Sequence, residues 1–241
     1  MSANTNASMN FRDIIKNSPL RVFDKSIGGL KNGQLGVLVS RSGTGKTGCI
    51  VHIATDALMQ GKKIVHVSFS ENVKNTIDWY REVFKQIAAA TGKSSEDVYD
   101  EVSRNRVILS FPSSSPIESV LKTISAVMEA QGGDVSTVIL DGYRLTVAKI
   151  DDIKAVKDYA KEKGINIWAS VTPVRKEAKI NEYGIPDTID PYMDYIDVLV
   201  GLKTDEKAER VRMTIAKADG KTDLKSMKVS LDPMTMLIVE N

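Results

Sequence analysis

Residues 40 to 47 read Ser-Arg-Ser-Gly-Thr-Gly-Lys-Thr and follow the apolar run Leu35-Gly36-Val37-Leu38-Val39. A strand that runs into a flexible loop, then a helix opening on Gly45-Lys46-Thr47, has the parts of a phosphate-binding loop. Small residues let backbone N–H groups turn inward onto phosphate oxygens, and the helix N-terminus adds partial positive charge. On that reading Ser42, Gly43, Thr44, Gly45, Lys46, Thr47 and Gly48 are the nucleotide-binding residues. Lys46 would reach the β- and γ-phosphates, and the Thr47 hydroxyl would bind Mg²⁺. Ser40 stands where the first glycine of the pattern belongs. Serine is small, so strain rather than loss of the site is expected there. A glycine turn with an accidental lysine would explain the same residues without chemistry, but it leaves the strand and helix on either side unexplained.

Two carboxylates follow apolar strands. Val138-Ile139-Leu140 ends in Asp141 and Gly142. In a doubly wound sheet the strand carboxyl ends gather at the ligand crevice, where an acid can bind Mg²⁺ beside the Thr47 hydroxyl. An ordinary strand-ending Asp in a turn is the plainer alternative. Val67-Ser68-Phe69-Ser70 ends in Glu71 at the start of a helix. ATP hydrolysis needs a group that orients and polarises water against the γ-phosphate, and Glu71 is placed for it. The same residue could serve only as a helix N-terminal acid, worth ~0.5 kcal/mol against the macrodipole.

The elements that must position these residues alternate along the chain. Strands are predicted at 34–39, 63–69, 106–111, 135–141 and 165–171, and helices at 46–59, 71–91, 95–105, from 116 and at 151–163. Val73, Ile77, Tyr80, Phe84 and Ile87 recur at helical spacing, as do Ile117, Val120, Leu121, Ile124 and Met128. Repeated strand–helix alternation predicts an α/β fold with a mostly parallel sheet covered on both faces. After Pro173 the pattern changes. Residues 173–192 hold Arg175, Lys176, Glu177 and Lys179 with prolines and a glycine, and read as a long mobile loop. Strands at 196–202, 209–216, 225–231 and 236–239 then predict a C-terminal antiparallel β-meander.

Composition sets limits. The chain has 241 residues, 42% hydrophobic and 27% charged, enough for a sizeable core. Its 33 basic and 31 acidic residues leave a net charge of +2, which neither requires nor excludes nucleic acid. Cys49 is the single cysteine, so an internal disulfide is excluded, and it reads as a core thiol. Two histidines and one cysteine argue against structural zinc. Residues 1–10 are polar without an apolar signal core, and are expected to be a disordered tail before a single domain spanning 11–241. No uncharged stretch approaches the ~20 residues of a membrane span, and a cytoplasmic location is expected.

Taken together, the chain resembles the RecA-like P-loop ATPases, within them the KaiC-like and replicative-helicase branch. Phe23-Asp24-Lys25-Ser26-Ile27-Gly28-Gly29-Leu30 with Gly33-Gln34-Leu35 is similar to the segment that precedes the phosphate loop in that branch. Helicases of the type often carry Ala-Arg-Pro where Ser40-Arg41-Ser42 stands, so a loop without the first glycine has precedent. Phe69-Ser70-Glu71 resembles the Phe-Glu-Glu and Ser-Leu-Glu stretches whose last acid activates water. Ile167 to Thr172 resembles the strand that ends in a γ-phosphate sensor, which makes Thr172 the sensor position. Residues 173–192 resemble the nucleic-acid loop of the central channel. Met213 to Gly220 resembles the Ile-Ala-Lys-x-Arg-x-Gly strand whose cations reach a neighbour's γ-phosphate. Lys217 matches the lysine, and Asp219 replaces the arginine.

The resemblance implies ATP and Mg²⁺ as cofactors, and a homo-oligomer, in the family a hexamer, with nucleotide at subunit interfaces. Its catalytic set here is Glu71, Lys46 and Lys217, with Thr47 and Asp141 at the metal. Three functions stay open on the sequence. One is a slow ATPase whose nucleotide state controls assembly or a protein partner. The second is a nucleotide-gated interaction module without turnover. The third, through Arg175, Lys176 and Lys179 with Tyr183 and Tyr192, is nucleic-acid binding, against which Glu177, Glu182, Asp187 and Asp190 set negative charge.

Overall fold

The computed structural model describes residues 15–70, 72–90, 96–145, 148–173, 179–181, 183–205, 210–218, 225–235 and 237–241. The expected tail at 1–10, Glu71, Arg175, Lys176, Glu177, Glu182 and Asp219 lie outside the described residues.

Runs rich in Val, Ile and Leu form a nine-stranded sheet in the order β3-β2-β4-β5-β1-β6-β7-β8-β9. The strands are β1 (Leu35–Val39), β2 (Lys63–Ser68), β3 (Arg106–Ser110), β4 (Val135–Asp141), β5 (Asn166–Val171), β6 (Val198–Asp205), β7 (Arg210–Lys217), β8 (Lys225–Leu231) and β9 (Ile238–Glu240). From β3 to β6 neighbours run parallel, and from β6 to β9 antiparallel. The mostly parallel sheet and the C-terminal meander are thus as the sequence predicts. The meander's first strand also closes onto β1, so the phosphate loop leaves the sheet between two parallel neighbours, β5 and β6.

Six helices cover the sheet: α1 (Leu20–Ile27), α2 (Lys46–Met59), α3 (Val73–Ala90), α4 (Glu96–Ser103), α5 (Ile117–Ala130) and α6 (Ile150–Lys163). Because successive strand residues point to opposite faces, the sheet divides two cores. Leu38, Ile64, Ile139 and Trp168 face a core shared with α1, α2 and α3. Val37, Val39, Val65, Val67, Val138, Leu140 and Ala169 face a second core built on α5 and α6. The stripe Ile117, Val120, Leu121, Ile124 and Met128 on α5 is buried as its spacing predicts. Among the described residues no helix is long and apolar enough to cross a membrane.

Helix α1 has no counterpart in the predicted elements. Its signal is Leu20, Phe23 and Ile27 at three- and four-residue spacing, all buried, with Gly28 in the left-handed region as the cap. The helix matters to the site because Arg21 bonds the Asp56 carboxylate on α2, and His52 on α2 accepts the Ile238 N–H at 2.9 Å. Both ends of the described chain therefore grip the helix that carries Lys46.

The long mobile loop is corrected over 183–192. Asp187–Tyr192 is a 3₁₀ helix, Ile180 bridges Pro186, and Ile185, Ile189 and Tyr192 are buried in the second core. The Tyr192 hydroxyl donates to the Ala148 carbonyl at 2.8 Å. Three apolar residues at i, i+4 and i+7 bury enough surface to order the segment. Tyr192 is accordingly unavailable for stacking on a base.

One close approach shapes β1. A Cβ at Gly36 would lie 2.6 Å from two ring carbons of Trp168, whose ring packs on Phe23 at 5.9 Å. Gly36→Ala is expected to destabilise the chain by about 1–3 kcal/mol through overpacking. Urea unfolding checks this as a lower midpoint at unchanged m-value.

Candidate functional site

The loop after β1 is a turn whose crown, Arg41, Ser42 and Gly43, is exposed. Gly43 has φ 79° and Gly45 φ 95°, backbone that β-carbon residues rarely adopt. Gly45 is the N-cap of α2 and supplies no side-chain cap, so the first-turn N–H groups face the loop without a side-chain acceptor. Nothing lies within 4 Å of the position a Gly43 Cβ would take. The loop is therefore an open anion cradle at the N-terminus of a helix of 14 residues.

Lys46 lies buried inside this loop. Its Nζ donates to the Ser40 carbonyl and hydroxyl, each at 3.1 Å, and to the Arg41 carbonyl at 2.8 Å. Burial lowers its pKa to about 8, against the nearby Asp141 charge that raises it. Ser40 is thus more than a tolerated substitute, because its hydroxyl is an acceptor for the lysine that glycine could not provide. The Ser40 hydroxyl also donates to the Arg41 carbonyl at 3.0 Å.

Strand register brings the carboxylate to the same place. Ser68, Asp141, Ser170 and Leu38 form one row across β2, β4, β5 and β1, all on the α2 side of the sheet. The Ser170 hydroxyl donates to Asp141 Oδ1 and accepts the Gly142 N–H at 2.9 Å. The Thr47 hydroxyl also bonds the Asp141 carboxylate. Burial pushes the Asp141 pKa up, while Ser170, Thr47 and Lys46 pull it down. A hydroxyl and a carboxylate are hard oxygen donors. Among the described residues no group of three or more His, Cys, Asp or Glu could hold a metal. One hydroxyl beside one carboxylate fits Mg²⁺, which is commonly held by one or two protein oxygens and substrate phosphates, and does not fit a closed protein cage.

The other predicted residues divide. Thr172 follows β5, whose Val171 carbonyl accepts the Ser40 N–H at 3.3 Å, so it sits beside the loop. Lys217 does not. Its register, Lys217 to Leu199 to Val37, sets it two strands from the loop and three residues down the sheet. That is about 10 Å across and about 10 Å along the strands. Its Nζ donates to the Met193 carbonyl at 2.5 Å. Glu71 follows β2 in the same row of strand ends but lies outside the described residues. Cys49 is buried and burial pushes its thiol up to about 12, as expected of a core residue.

Sequence reasoning misses Ser170, His66 and the polar end of Tyr80 as parts of this site. Their signal is nonetheless present: a polar residue within an apolar parallel strand stands out, and period-two alternation puts His66, Ser68, Asp141 and Ser170 on one face.

A sheet in this order, helices on both faces and a phosphate-type loop between β1 and α2 define a RecA-like P-loop fold. Among solved structures the chain is similar to the ATPase domain of a replicative helicase, with a TM-score of 0.64 over 88% of this chain and 86% of that one at 15% identity. No protein-family model and no curated protein matches the sequence.

Proposed function

We propose that this chain binds MgATP at the loop between β1 and α2, hydrolyses it slowly, and uses nucleotide state to control self-assembly or a protein partner. The observation that carries this reading is the convergence of Lys46, the uncapped α2 N-terminus and the Thr47–Asp141 pair on one open loop. The loop N–H groups and Lys46 would bind the phosphate oxygens. Thr47 and Asp141 would hold the Mg²⁺, which when bound neutralises charge on the phosphates. Glu71 would accept a proton from water aligned on the γ-phosphate, and Thr172 would hold a phosphate oxygen through its one donor.

The position of Lys217 supports a role for assembly. Two strands away and bonded to Met193, it serves no phosphate on its own chain. A neighbour's Lys217 would supply the interfacial charge, without the arginine that Asp219 replaces. An arginine finger accelerates phosphoryl transfer by about 10³–10⁵, so slow turnover is expected.

Turnover measured against protein concentration tests the reading, alongside light scattering with ADP and with a non-hydrolysable ATP analogue. Specific activity should rise with concentration, and Glu71→Gln should lose roughly 10²-fold, the scale of one general base. Equal rates in Glu71→Gln would remove Glu71 from the mechanism. ATP that stays intact for a day at high protein concentration would instead establish the nucleotide-gated module without turnover.

A further inference from the structure

His66 lies on β2 one pleat below Ser68, on the same face as Asp141, and is fully buried. Its Nδ1 is 2.9 Å from the Tyr80 hydroxyl of α3. Its Nε2 has no hydrogen-bond partner and stands 4.0 Å from Asp141 Oδ2. An unpaired buried polar atom costs about 1–3 kcal/mol, so its retention calls for a use. A nitrogen lone pair facing a carboxylate oxygen would repel it. The favourable tautomer therefore carries the proton on Nε2, with the Tyr80 O–H donating to Nδ1. The Arg106 guanidinium, 4.1 Å over the Tyr80 ring, favours that donation by drawing electron density from the phenol. Burial lowers the proton affinity of His66, as does the Arg106 charge, and both keep the ring neutral.

We propose that His66 is a positioning residue for Asp141: its Nε2–H replaces the Thr47 hydroxyl as donor to the carboxylate whenever that hydroxyl is engaged by a divalent cation. The inference rests on the MgATP reading above. In the structure Asp141 has two hydroxyl donors, Ser170 and Thr47. If Thr47 turns its oxygen to a cation, the carboxylate loses one donor in a site that water reaches poorly. Nε2 is the buried donor without another partner on that side of the carboxylate. A shift of about 1 Å brings it from 4.0 Å to hydrogen-bond range. Outer partners of this kind hold a ligating carboxylate in orientation and commonly change metal affinity about 10–100-fold. The chain of contacts Arg106, Tyr80, His66, Asp141 would then tie the edge strand β3 and helix α3 to the metal side of the loop.

The test compares wild type, His66→Phe and His66→Gln in ATP binding, first in EDTA and then across a Mg²⁺ titration. His66→Phe should bind ATP as wild type does in EDTA, yet need about tenfold more Mg²⁺ for half-saturation. His66→Gln, which restores an N–H donor, should recover most of that shift. An unchanged Mg²⁺ midpoint in His66→Phe, or an equal loss with and without Mg²⁺, would overturn the assignment. A wild-type protein that binds no ATP, or binds it without regard to Mg²⁺, would instead remove the MgATP reading, and this inference with it. Should His66→Phe not fold, long-range ¹H–¹⁵N spectra of the wild-type imidazole decide. They should show the Nε2–H tautomer, with that proton moving when Mg²⁺ joins a non-hydrolysable ATP analogue. The Nδ1–H tautomer, or an unmoved proton, would overturn it.

Discussion

Lys46→Met is expected to weaken ATP binding roughly 10- to 100-fold, because a hydrogen bond to a charged group contributes about 1.5–3 kcal/mol. Calorimetric titration measures it. The same substitution should change how stability depends on pH. Burial in the loop lowers the Lys46 pKa to about 8 from its ordinary 10.5. Between those values the unfolded chain holds a proton that the folded chain has lost. Wild-type stability relative to the methionine variant therefore rises with pH across that window, and below pH 8 the buried charge weighs against folding. The full difference is about 3 kcal/mol from the size of the shift. Urea unfolding of both proteins at pH 7.5 and pH 10 reads it, since every other titrating group cancels in the comparison. A parallel pH dependence would mean that Lys46 is solvated in the folded chain.

Asp141→Asn should separate metal use from stability in opposite directions. Asparagine keeps an oxygen for the Ser170 and Thr47 hydroxyls but removes the charge. The gain in ATP affinity on adding Mg²⁺ should fall about tenfold or more, while binding in EDTA holds or improves as a negative charge leaves the phosphate cradle. Stability should rise. Burial lifts the Asp141 pKa above its unfolded value, so between the two values the folded chain binds more protons than the unfolded one. Folding then loses stability as pH rises through that range, and at neutral pH the ionised carboxylate is retained at a cost. The variant should therefore melt higher than wild type at pH 7 by calorimetry, and the difference should shrink as pH falls below that range. A lower melting temperature at pH 7 would show that the carboxylate's hydrogen bonds outweigh its desolvation.

Much of this architecture is legible without coordinates. The strand at 35–39, the loop at 40–47 and the helix at 46–59 follow from an apolar run, φ-permissive glycines and a capless helix start, all local properties. The stripe on α5 is equally local. Helix α1 and the packed segment at 183–192 are different. Their apolar residues are sparse among polar neighbours, and only a waiting core distinguishes Ile185, Ile189 and Tyr192 from loop residues. Lys217 shows a further limit. Its position in a motif says nothing of which phosphate it can reach, whereas the register through Leu199 to Val37 excludes its own loop.

The residue types along 40–47, and the acids that end the strands at 71 and 141, define the chemistry this chain can attempt, because backbone permissiveness, charge and oxygen donors are carried by the residues themselves. Which of them meet is a matter of strand order. Asp141 reaches Thr47, Ser170 and His66 because β4 lies between β2 and β5, and β5 lies beside β1. Ser40 becomes an acceptor for Lys46 only when the loop folds back on the helix. These are long-range pairings whose energy comes from burial and register, and no window of sequence contains them.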